Sequence, residues 1–288
     1  MAGGVSESLH LLLASAIDYA GLFPPAELDM ATAVACYDRY RRGENAWMLG
    51  SFVAPASRLG ELAAFASRDG RPWPVSALVG PRIADEIAAI DHFQQTGTGR
   101  VDWIEVKVSS ADQIRPIRER VPKRLGVCYE FTDPGWLKAV RDAGGRAKIR
   151  TGGVTPEAIP PAQEIARFLA CAAAHDVPVK ATAGLHHPIR AENPLTYKDD
   201  APQAAMHGFL NVLLAAVFVR AGVGLEELTE LLEERSASVF RFEPDGVTWR
   251  YHRITNQQIR RAREHALLSF GSCSFEEPVE ELRAARLL

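Results

Sequence analysis

Residues 146–153 read RAKIRTGG and residues 177–187 read VPVKATAGLHH, with PAQEIARFLACAAAHD (161–176) between them. The outer pieces are short runs of Val, Ile, Ala and Thr, closed by glycine. The middle piece repeats apolar residues at helical spacing. Strand, helix, strand in so short a span implies a parallel pair, because the helix must return the chain to the end of the sheet it left.

The same alternation extends in both directions. Strand-like runs fall at AIDYAGLF (16–23), WMLGSFV (47–53), PVSALVG (74–80), DWIEVKV (102–108), RLGVCYEF (124–131), RAKIRT (146–151), PVKATAG (178–184) and ASVFRF (237–242). Helical patterns such as SRLGELAAFASR (57–68), GPRIADEIAAIDHF (80–93) and TDPGWLKAVRDAGG (132–145) separate them, the last with Thr132 or Asp133 as N-cap and Gly144-Gly145 at its end. Eight units predict an α/β fold, a (β/α)8 TIM barrel in one domain over 1–288, with an elaborated C-terminal third. An open doubly wound sheet fits the same local pattern, but no GxGxxG follows the first strand. Residues 191–236 are expected to be a helical insertion or lid, 240–252 (FRFEPDGVTWRYH) a hairpin turning at PDG, and 270–288 a tail helix.

Composition bounds the setting. The chain has 288 residues, 47% hydrophobic and 24% charged, with a formal charge of -3 and no basic or acidic block. Such a balance excludes neither small-molecule binding nor self-association but points away from nucleic acid and membrane surfaces. Cys36, Cys128, Cys171 and Cys273 lack zinc or redox spacing and are expected to be reduced, small buried residues. The opening MAGGVSESLHLLLASA has no basic start, and the longest apolar run, GFLNVLLAAVFV (208–219), is too short to span a bilayer. A cytoplasmic protein without cofactor, a possible homo-oligomer, is the expectation.

Charged residues inside strands require a reason. Alternation puts Glu105 with Lys107, Cys128 with Glu130, Lys148 with Arg150 and Lys180 with Thr182 on shared faces, and Asp18 lies in the first strand. Unpaired burial would cost several kcal/mol each, on the order of a lost charge's solvation, so these groups plug the barrel or surround a wet pocket. Two lysines on adjacent strands are expected to depress each other's pKa. One would then be a neutral amine able to attack a carbonyl, with a carboxylate moving protons.

KIRTG (148–152) and VKATAG (179–184) resemble the K-x-x-T-G and V-K-A-S-G-G strands of the deoxyribose-phosphate aldolase family, Schiff-base enzymes on a TIM barrel. AIDYAGLFPPAELD, SFVAPASRLGELA and VDWIEVKV resemble that family's opening, second-strand and D-E-I-D-M-V regions, so the likeness covers roughly the first two thirds of the chain. It implies Lys148 as Schiff-base lysine, Lys180 as the lysine that tunes it, and Glu105 in place of a catalytic aspartate, with Asp18 beside it. Lys107, Glu130, Arg150, Thr151, Gly184 and His186 are expected around a small carbonyl substrate. The chain departs from the family after the second lysine, where AGLHHPIR stands for G-G-I-R-T, and GSCS (271–274) is only a loose echo of the family's G-T-S. The function expected is a class I aldolase-like carbon–carbon lyase.

Two other readings fit the residues. His186 and His187, with Glu105, Glu130 and His207 or His252, could hold a divalent metal for hydrolysis or lysis, although no HxH or HExxH is present. Alternatively the lysines pair with Glu105 and Glu130 in a non-catalytic barrel that binds an anionic small molecule.

Overall fold

A computed structural model describes residues 5–67 and 70–288. Met1–Gly4 of the opening stretch, and Arg68 at the end of one helical pattern, lie outside the described residues.

Eight parallel strands close into a barrel: β1 Ile17–Tyr19, β2 Leu49–Pro55, β3 Trp73–Val79, β4 Gly99–Lys107, β5 Gly126–Glu130, β6 Arg146–Arg150, β7 Val179–Thr182 and β8 Leu267–Ser272. Each is followed on the outside by a helix, from Met30–Tyr40 after β1 to Glu276–Ala284 after β8. This is the (β/α)8 TIM barrel that the alternation predicts. Local chemistry sets the helix ends. The Asp29 carboxylate accepts the Thr32 amide at 2.8 Å, Asp133 accepts from Gly135 at 2.9 Å, and Gly144 ends the helix Leu137–Asp142 at φ +63°.

The eighth strand is not the segment expected. Residues 237–242 enter a small antiparallel meander of Phe240–Glu243, Gly246–Trp249 and His252–Thr255, whose first turn is the expected hairpin at Pro244-Asp245. Both segments follow the helices Phe209–Arg220 and Leu225–Glu233, but only Leu267–Ser272 also follows the meander and the helix Asn256–His265. This strand pairs with β7 on one side and β1 on the other, Phe270 standing opposite both Ala181 and Ile17. The expected tail helix over 270–288 therefore gives up its first residues to β8 and runs only over Glu276–Ala284.

The expected helical lid over 191–236 resolves into two parts. Ala191–Pro194 and Gln203–Met206 form a hairpin at the barrel mouth, while Phe209–Arg220 and Leu225–Glu233 pack as outer helices. Every residue from Phe209 to Phe218 is buried, and Phe209 stacks on Phe270 with ring centroids 4.9 Å apart. A helix apolar on all faces belongs between a barrel and further helices, where this one lies. No described helix is long and apolar enough to cross a membrane.

Candidate functional site

Inward positions near the strand ends converge on one ionic chain. Lys148 on β6 lies 2.6 Å from Glu105 Oε2 and 2.8 Å from Glu130 Oε2. Lys180 on β7 lies 2.6 Å from Glu105 Oε1 and 2.5 Å from Asp18 Oδ2. The register explains it: Glu130, Lys148 and Lys180 are lateral partners across β5, β6 and β7, and Glu105 reaches them from β4. Ser76 on β3 donates to Glu105 at 2.5 Å, and Asp18 accepts the Ser51 amide and the Ser269 hydroxyl, each at 2.7 Å.

Two cavities meet at this chain. A cavity of about 650 Å³ opens at the C-terminal mouth, with Lys148 and Glu130 on its floor and Lys107 and Arg150 toward its rim. A smaller one of about 300 Å³ lies below and is bounded by Asp18, Ser51, Ser269 and Arg146. Glu105 and Lys180 border both, whereas Lys148 borders only the upper one and Asp18 only the lower. One wall of the mouth cavity is apolar, formed by Phe23, Pro25, Val53, Leu78 and Val79, with Leu195 and Met206 of the hairpin above.

The electrostatics differ from the expectation of mutually depressed amines. Burial alone would lower the Lys148 pKa, and Lys180 adds repulsion, but Glu105 and Glu130 outweigh both and hold it above the ordinary lysine value. Lys180 is raised too, since burial is overcome by Asp18 and Glu105. Burial likewise opposes the Glu105 charge, yet Lys180 and Lys148 keep this carboxyl far below the usual range. Three carboxylates enclose two amines, so opposite charges set the balance rather than the lysine–lysine contact.

Other expected residues divide. Lys107, Arg150, Gly184 and His186 border the mouth cavity with Glu130, and Arg150 stands 3.7 Å from Glu130. Thr151 does not: its hydroxyl turns back to the carbonyls of Thr182 and Ala183, at 3.2 and 2.7 Å, and binds β6 to β7. Gly184, at φ +74°, packs against Gly152, where a Cβ would meet its Cα at 3.1 Å. It is a structural contact as much as a cavity wall.

The grouping of histidines with Glu105 and Glu130 is not formed. His186 Nδ1 lies 3.2 Å from Glu277, and His187 Nδ1 lies 2.5 Å from Glu281 one turn further along the same helix. His252 pairs with Glu227 at 2.8 Å, near the meander. His207 and Asn211 face away from the cavity: His207 contacts Arg190 and the Pro160 carbonyl, and Asn211 donates to the carbonyls of Leu231 and Glu234. Among the described residues no three His, Cys, Asp or Glu side chains stand together as a metal site would need.

Sequence reasoning missed Ser76, Cys273, Glu277 and Tyr197. Cys273 borders the mouth cavity beside His186. Its signal was GSCS, which reads as a strand end only once β8 is placed at 267–272.

No family model matches the chain. No curated protein matches it either. Among solved structures, FabK from Thermotoga maritima is similar at 13% identity and TM-score 0.38, over 65% of this chain and 56% of that one. A mandelate oxidase variant with a monooxide FMN adduct is similar at 13% identity and TM-score 0.40, over 88% of this chain and 74% of that one. The chain spans a little over half the length of the FabK chain. Likeness at this level carries no chemistry, and it lends the deoxyribose-phosphate aldolase resemblance no support.

Proposed function

We propose that the protein is a Schiff-base carbon–carbon lyase acting on a small β-hydroxy carbonyl compound, with Lys148 as nucleophile. The observation that carries this reading is the placement of the Lys148 amine on the cavity floor between two carboxylates. An iminium formed there keeps the positive charge of the ammonium it replaces. The field that raises the lysine pKa therefore also stabilises the intermediate.

The cost is a small fraction of neutral amine at pH 7. Glu130 borders the cavity and is less fully engaged than Glu105, which makes it the acceptor for the Lys148 proton. The amine nitrogen adds to the carbonyl carbon, and water leaves after protonation of the carbinolamine oxygen. A base then takes the β-hydroxyl proton. The carbon–carbon bond breaks toward the iminium, giving an enamine and an aldehyde. In this reading Lys180 and Asp18 position Glu105 from below instead of relaying protons themselves.

Borohydride reduction with a panel of small aldehydes and ketones, followed by intact mass and peptide mapping, tests it. A single adduct on Lys148, absent in Lys148→Gln, is expected.

The raised lysine pKa values also favour a second reading, a non-catalytic ion-pair plug beneath a site for an anionic small molecule between Lys107 and Arg150. Lack of any adduct with the panel would select it.

A further inference from the structure

Cys273 leaves the end of β8 and borders the mouth cavity together with His186. Its sulfur lies 3.8 Å from His186 Nδ1 and 3.9 Å from Nε2. His186 Nδ1 faces Glu277 at 3.2 Å and the Ser272 hydroxyl at 3.3 Å. The Tyr197 hydroxyl, reaching in from the hairpin turn, stands 3.5 Å from the same sulfur. Cys128 offers the contrast. Burial and Glu105 push its thiol up to about 12, which keeps it protonated and inert. A cysteine that merely fills space needs no imidazole, carboxylate and phenol around it.

We propose that Cys273, His186 and Glu277 form a second reactive centre of the mouth cavity, a thiol nucleophile served by imidazole and carboxylate, whose target is the carbonyl carbon of an aldehyde. Facing Glu277 and the sulfur, His186 stands as an imidazolium at pH 7. The thiol proton leaves to solvent and the cation beside it holds the sulfur anion. The sulfur forms a bond to the aldehyde carbon, the carbonyl π pair moves to oxygen, and His186 passes its proton to that oxygen to give a hemithioacetal, solvent then restoring the imidazolium that Glu277 holds. No leaving group or oxidant is required, which is why an aldehyde is the electrophile that fits. The apolar wall of Phe23, Val53 and Leu78 offers its alkyl or aryl arm a surface. The centre operates whether or not Lys148 forms an imine.

Iodoacetamide labelling of the Lys148→Gln protein at pH 7, read by peptide mapping, separates the two chemistries because no imine can form there. Cys36 and Cys171 are more exposed than Cys273, so accessibility alone predicts that they label first. The expected result is the reverse, with Cys273 about tenfold faster, slowed several-fold by millimolar propionaldehyde, and brought down to the rate of the other two by adding His186→Gln. Glu277→Gln, at a partly exposed position, is expected to lower the rate in the same direction, with thermal melts confirming that each variant folds. Labelling of Cys273 no faster than Cys36, or indifferent to His186→Gln or to propionaldehyde, overturns the proposal.

Discussion

His186 and His207 are expected to titrate on opposite sides of neutrality, and for opposite reasons. Burial would lower His186, but Cys273 and Glu277 outweigh it and push it up to about 9. Burial of His207, reinforced by Arg190, brings it down to about 4 against the Pro160 carbonyl. A two-dimensional NMR titration of the histidines should show both, with Glu277→Gln moving the upper midpoint down and leaving the lower one in place. A shared midpoint near the ordinary 6.5 would contradict these environments. At Lys180 the question is energetic. Lys180→Met leaves Asp18 and Glu105 buried with fewer counter-charges, and breaking such a pair costs about 3 to 5 kcal/mol, measurable as a lower urea midpoint. The strand alternation made Lys148, Lys180, Glu105 and Glu130 legible as one inward set. Their pKa directions were not legible, because sequence spacing counts the amines but does not say how many carboxylates reach them.

Among the elements, the helix Phe209–Arg220 depends on one polar side chain. Asn211 is fully buried, donates to the carbonyls of Leu231 and Glu234 at 2.9 and 3.0 Å, and accepts from the Arg190 amide at 3.2 Å. Asn211→Ala leaves these backbone groups unsatisfied and should cost about 3 kcal/mol in urea unfolding, while Asn211→Asp, which loses both donors, should not rescue it. This residue ties three segments that sequence alone left unconnected. The helices and the first seven strands were readable from period and caps, as at Asp133 and Gly144. The eighth strand was not, because ASVFRF, with Val and two Phe, has the stronger strand composition, whereas LLSFGS has no β-branched residue and carries a glycine. Local composition does not report which segment reaches the seam between β7 and β1, where Leu267–Ser272 pairs on both sides. That misplacement hid Cys273, since GSCS has chemical meaning only at the end of a barrel strand.

For the whole molecule, the ionic chain sets a window of pH stability. Glu105 is depressed in the fold, so its contribution is complete above the ordinary 4.5 and is lost as pH falls below it. Lys148 and Lys180 are raised, so theirs is complete below 10.5 and is lost as pH rises beyond it. Superimposed on this plateau, His186 contributes stability that is full below 6.5 and fades as pH rises through about 9. Urea midpoints measured across pH should follow this shape, and Glu105→Gln should flatten the acid limb; an unchanged acid limb would place the sensitivity elsewhere. Barrel closure also has a consequence in time. Ile17 pairs with Phe270, and residues 183–266 must be made and packed before β8 exists to join β1 to β7. Until then a nascent chain carries a seven-stranded sheet with two bare edges, which any neighbouring strand could occupy. Joining ends so distant in sequence is intrinsically slow. The interval before β8 arrives is when this protein is most exposed to aggregation, and when a chaperone that shields strand edges would matter most to its yield.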